Sequence, residues 1–175
     1  HKSVIDSVVK QKTYTYWIDH TDNAQLMDLF TFGVHGGIYL GSETYGQLTN
    51  FNFDCVCIGI HKLGSQWKNR NWQIAQGSII ANVGEKLEEI HPILIEGIGH
   101  SSITNVEAFS GENGALANKG ASWDYMTVTG EATISLANCR MHGYKADTPI
   151  NTHPKAKISA YGCIDKNNVF FEMKP

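Results

Sequence analysis

Short stretches of this chain copy one another at a fixed distance, and that constrains its fold more than any other feature. Leu29-Phe30-Thr31-Phe32-Gly33-Val34 resembles Asn50-Phe51-Asn52-Phe53-Asp54-Cys55 and Asn71-Trp72-Gln73-Ile74-Ala75-Gln76, with large apolar residues at 30, 51 and 72 and again at 32, 53 and 74, a step of 21 residues. A less regular set follows at Ser102 to Ala108, Thr133 to Cys139 and Lys157 to Cys163, in which Ala108, Cys139 and Cys163 take the same place. Similarity at a fixed period of this length is the mark of a solenoid, in which each repeat buries its apolar face only against its neighbours.

The repeats read as strands. Phe30, Phe32 and Val34 alternate with Thr31 and Gly33, and Phe51, Phe53, Cys55 and Cys57 with Asn52, Asp54 and Val56. A period of two, with β-branched and aromatic enrichment and Gly between the runs, is a strand signal. Helical periodicity is confined to Ser3–Lys10 and Gly84–Glu89. The expectation is an all-β chain wound as a parallel β-helix, with Phe30 over Phe51 over Trp72 as an interior aromatic column. A β-sandwich is the competing class. The expected layout is an approach segment over 1–23, coils over 24–175 and a projecting Gly-rich loop at 111–121.

Bulk properties exclude some classes. An apolar fraction of 42% over 175 residues is that of a folded domain. The net charge of −3 argues against a nucleic-acid partner, because Lys62, Lys68 and Arg70 lie close together but do not extend into a basic face. No apolar run approaches the ~20 residues that span a bilayer as a helix. The four cysteines, Cys55, Cys57, Cys139 and Cys163, have no metal-ligand spacing and are expected as small buried hydrophobes.

The phrases Ile95-Glu96-Gly97-Ile98-Gly99-His100-Ser101-Ser102-Ile103-Thr104-Asn105-Val106-Glu107 and Ile134-Ser135-Leu136-Ala137-Asn138-Cys139-Arg140-Met141 resemble coils of the right-handed parallel β-helix superfamily. That group includes pectate-lyase-like and polygalacturonase-like enzymes, fructan-processing transferases and phage tailspikes. The resemblance implies a polysaccharide or cell-surface glycan lying along an outer face, and an extracellular or virion-surface setting. Homotrimers occur among such proteins. It further suggests the C-terminal coils of a larger enzyme, a hydrolase, lyase or transferase; the chain opens at His1, which fits a processed chain or fragment. The alternative is a glycan-binding module of a tailspike or adhesin that does not cleave. No diagnostic catalytic motif accompanies the resemblance, so the candidate residues come from the strand pattern.

Glycoside hydrolysis uses two carboxyl groups, and elimination beside a uronate uses a base and a cationic group. Asp54 and His35 fall on outward rows of neighbouring coils and are a candidate acid/base pair. Glu107 is outward in the second set. Asp124, between Trp123 and Tyr125, is a carboxylate beside sugar-stacking rings. Trp67, Lys68 and Arg70 crowd one turn, and with Trp123 are candidate glycan contacts; the turn suits a subunit contact equally well. The plainer alternative for each of these residues is a solvated surface or core role. Asp19-His20-Thr21-Asp22-Asn23 is rich in oxygen ligands suited to calcium, but it lacks EF-hand spacing, so a turn is expected there and no cofactor is assigned.

Overall fold

The computed structural model describes residues 2–65, 70–109 and 122–175. Helix α1 (Lys2–Lys10) is followed by β1 (Tyr14–Phe32), β2 (Gly36–Val56), β3 (Ile58–Lys62), β4 (Asn71–Ala81), β5 (His91–Ile95), β6 (Gly99–Ala108), β7 (Met126–Val128), β8 (Ala132–Ala137), β9 (Arg140–Met141), β10 (Ile150–Thr152), β11 (Lys157–Ile164) and β12 (Phe170–Met173). Pairing between coils is parallel throughout, and the chain is a β-solenoid of about 5 turns. The final strand β12 folds back antiparallel on β11. Among the described residues no helix is long and apolar enough to cross a membrane.

Three faces make up each coil. The first stacks the start of β1 on the start of β2, then β3, β5, β7 and β10. The second stacks the middle of β1 and β2 with the first halves of β4 and β6, then β8 and β11. The third uses the ends of β1, β2, β4 and β6, with β9 and the end of β11. Like side chains meet along the bore. Ile38, Ile60, Ile93, Met126 and Ile150 run up the first face, and Leu48, Ile74, Ile103, Leu136 and Ala160 up the second. All ten are buried, and this apolar area removed from water is the main force joining coil to coil.

One left-handed residue per coil turns the second face into the third. Asp28, Asn50, Gln76, Asn105 and Asn138 take that place with φ of 57°, 52°, 55°, 53° and 53°, and Gly162 continues the row at 63°. Asn and Asp tolerate this region better than other residues that carry a Cβ. Their side chains also stack: the Asn50 amide donates to Asp28 and the Thr49 hydroxyl to Gln76. The sharp corner lets one unbroken strand serve two faces.

The expected aromatic column does not exist. Leu29 pairs with Phe51 and Phe51 with Gly77, whose missing side chain leaves room for the Phe51 ring. Phe30 pairs with Asn52, points outward and is 57% exposed. Trp72 is buried beside Gly46, one face away from Phe51, with its indole N–H donating to Thr44 at 3.1 Å. The physical reason is the coil length. Tyr14 pairs with Gly36 and Gly36 with Ile58, a step of 22 residues, so a 21-residue alignment reverses inside and outside. The third coil is longer because residues 63–70 lie between its first two faces. In the second set, Glu107 pairs with Arg140, which sets Val106, not Ala108, beside Cys139. The four cysteines are free and buried, as expected.

Helix α1 lies on the corner between the third and first faces. Ile5 and Val9, one helical turn apart, pack with Cys55 and Val83, and Ile5 lies over Gly33. The first coil begins at Tyr14, and Asp19–Asn23 forms a bend inside it, where the register shifts. Lys62 is an inward residue between Leu40 and Ile95, and its ammonium meets only the Leu63 carbonyl, at 3.5 Å, among the described residues.

Two outcomes follow from this architecture. Asn105→Val should destabilise the chain by about 1–2 kcal/mol in urea unfolding, whereas Asn105→Gly should be nearly neutral. Burial lowers the Lys62 amine from 10.5 to about 8. The unfolded chain therefore holds this proton to higher pH. The cost is full below pH 8 and fades as pH rises toward 10.5, reaching about 3 kcal/mol at neutral pH. Lys62→Met should raise stability at pH 7, with a gain that shrinks at pH 10.

Candidate functional site

The 22-residue step aligns three ring side chains on the outside of the first face. Trp17 pairs with Tyr39 and Tyr39 with His61, and Leu94 continues the row. Strand alternation turns all of them away from the bore. The Trp17 and Tyr39 rings stack with centroids 3.9 Å apart and planes 20° apart. Trp17 is 59% exposed, which leaves an aromatic platform open to solvent. Tyr14 crosses from the first coil to the third over Gly36, where any side chain would collide with its ring. The platform forms one wall of a cleft of about 470 Å³, closed on the other side by His35, His91 and the 3-10 turn Leu87–Glu89 that carries Glu88 and Glu89.

Two hydrogen-bonded constellations border the cleft. In the first, Tyr14 Oη lies 2.6 Å from His61 Nδ1, and His61 Nε2 lies 2.6 Å from Glu96 Oε2. The Glu96 carboxylate accepts from Nε2–H, and in that tautomer Nδ1 accepts the Tyr14 hydroxyl. Burial, with Glu96 and Tyr39 nearby, pushes the Tyr14 phenol well above its ordinary range. Tyr14 is thus a neutral donor, poorly suited to ionise. In the second, His91 Nδ1 lies 3.2 Å from Asp124 Oδ1 and 3.1 Å from Thr127 Oγ1, and Thr127 donates to the other Asp124 oxygen. Asp124 is fully buried. Its carboxylate holds the proton on Nδ1 and leaves His91 Nε2 without a hydrogen bond among the described residues. A histidine positioned in this way can take a proton from a bound hydroxyl or water.

His35 completes the floor. It is more than nine-tenths buried, and its Nδ1 has no partner among the described residues. Burial and the neighbouring Lys12 lower its pKa, so the ring is neutral at physiological pH.

Of the residues singled out from the sequence, His35 and Asp124 come to this cleft, Asp124 from behind His91. Asp54 sits on the third face opposite Phe32, and no hydrogen bond or ion pair joins it to His35. Glu107 is also on the third face, 3.9 Å from Arg140. Arg70 pairs with Asp22 at 2.7 Å and covers the Tyr45 ring, bracing the corner between the first two faces. Trp123 is partly exposed beside Asp124. Trp67, Lys68 and the loop 111–121 lie outside the described residues. Tyr14, Trp17, Tyr39, His61, His91 and Glu96 were not legible as a group, because a 21-residue alignment begun at Phe30 leaves the first strand out. A 22-residue step begun at Trp17 finds the row Trp17, Tyr39, His61. Among the described residues no set of three His, Cys, Asp or Glu side chains is arranged to hold a metal ion.

Comparison with family models, with curated proteins and with solved structures finds no match for this chain.

Asp124→Ala should lower stability by about 2–3 kcal/mol, because it strips His91 and Thr127 of a buried partner. Asp124→Asn, which keeps the shape and removes the charge, should cost less. Chemical denaturation of the two variants checks the order.

Proposed function

We propose that this chain is a carbohydrate-active protein whose glycan lies along the outside of the first face and is cleaved beside His91. The observation that carries the reading is the stacked, solvent-open Trp17–Tyr39 platform in a cleft that also holds an oriented histidine–carboxylate pair. Sugar rings present apolar C–H faces that pack on aromatic rings and hydroxyls that need polar partners, and ligand sites combine such surfaces. Successive coils repeat at about 4.8 Å, which suits a linear polymer. In this reading Trp17 and Tyr39 support a sugar ring and Tyr14 donates a hydrogen bond to it. His91, held by Asp124, is the acid/base group.

A second reading is binding without cleavage, as in an adhesin-type module. It is favoured by the Tyr14–His61–Glu96 chain, in which both His61 nitrogens are already engaged, as befits a rigid support.

A panel of neutral, acidic and amino oligosaccharides separates the two, with binding read by calorimetry and cleavage by new reducing ends or unsaturated-product absorbance. Trp17→Ala should weaken binding about tenfold. His91→Ala should cut product formation by about 10²–10⁴ while binding stays within a few-fold. Binding without product supports the module, and no binding by any member overturns the glycan reading.

A further inference from the structure

Resting on the glycan reading, we propose that the cleft selects sugars bearing a free amine, such as glucosamine oligomers, over neutral and uronate-containing ones. The charges at the cleft decide the matter. Glu88 and Glu89 line it, and Lys12 is the cation among the described lining residues. Glu96 stands directly behind His61, at 2.6 Å. Glu89 has a neighbouring cation in Lys86, but at 3.8 Å between largely exposed groups, which leaves most of its field intact. A uronate carboxylate entering here would meet like charge on the side of the 3-10 turn. An ammonium would meet opposite charge there and aromatic faces on the other side.

The aromatic wall points the same way. Trp17 and Tyr39 present stacked rings, and Tyr14 meets both edge-on, with centroids 5.9 and 5.6 Å away. Ring faces attract cations through their quadrupole, and carboxylates beside aromatic rings are a common setting for amine recognition. His35 lines the cleft as well, more than nine-tenths buried, with Nδ1 unpartnered among the described residues. Its neutral ring adds no positive charge to oppose an amine.

The test is calorimetric titration of the full chain with three oligomers of equal length: glucosamine, N-acetylglucosamine and galacturonate. The glucosamine oligomer should bind about tenfold more tightly than the acetylated one, with a preference that falls as salt is raised. Glu88→Gln/Glu89→Gln should erase the preference, weakening the glucosamine oligomer about tenfold more than the acetylated one. Glu172→Gln, on β12, should keep it, which separates a local effect from net charge. Equal or tighter binding of the acetylated or acidic oligomer overturns the amine selectivity and leaves the glycan reading standing. Absence of binding by all three overturns both.

Discussion

The structure depends on parallel pairing of each coil with the next at a strict register, pinned once per coil, where the second face turns into the third, by one residue in the left-handed region. Asp28, Asn50, Gln76, Asn105, Asn138 and Gly162 hold the same place in successive coils, and the inward rows on either side are aligned because these corners are. The pairing sorts each strand into core and surface. It also builds the cleft, since the register that buries Ile38 on Ile60 brings Trp17 beside Tyr39 and Tyr39 beside His61.

Core and cleft are therefore opposite sides of the same strands, and they use different physics. Inside, aliphatic ladders exclude water and carry the stability. Outside, the first face collects rings, two histidines with defined hydrogen-bond partners and carboxylates of the 3-10 turn. Glycines make this possible where space is tight. Gly36 lies under the Tyr14 ring and Gly77 under that of Phe51, so in both places a large ring of one coil fills the gap left by its neighbour. Asp124 is a carboxyl group without solvent access whose two oxygens are engaged by His91 and Thr127. Its position behind a cleft histidine is what gives it a place in the proposed chemistry.

The fold class was legible in the sequence because strand alternation and repetition are local signals. Phe51 and Phe53 alternate with Asn52 and Asp54 wherever the coil boundaries fall, and the amphipathic run at Ser3–Lys10 reads as a helix without knowledge of its partner. Register was not legible. The coils differ in length, with an inserted segment at 63–70, so matching Phe30 to Phe51 by type placed an exposed ring in the core. The site suffered from the same error. His35 stood out as a lone outward histidine, but its companions Trp17, Tyr39 and His61 come from three different coils and align only at 22 residues. Asp124 was visible as a carboxylate among aromatics, whereas its burial against His91 depends on the pairing of distant strands.

Register is thus the claim on which core, cleft and proposed ligand all stand. It is tested most directly by a pair of cysteines at Gln25 and Gln47, which are exposed, lie on adjacent coils and pair directly. Adjacent parallel strands lie about 4.8 Å apart, within the span a disulfide bridges, and the native thiols are buried. Mild oxidation of Gln25→Cys/Gln47→Cys should close an intramolecular disulfide, identified by mass spectrometry, with the circular dichroism spectrum unchanged. A folded protein in which that bond fails to form would contradict the 22-residue winding.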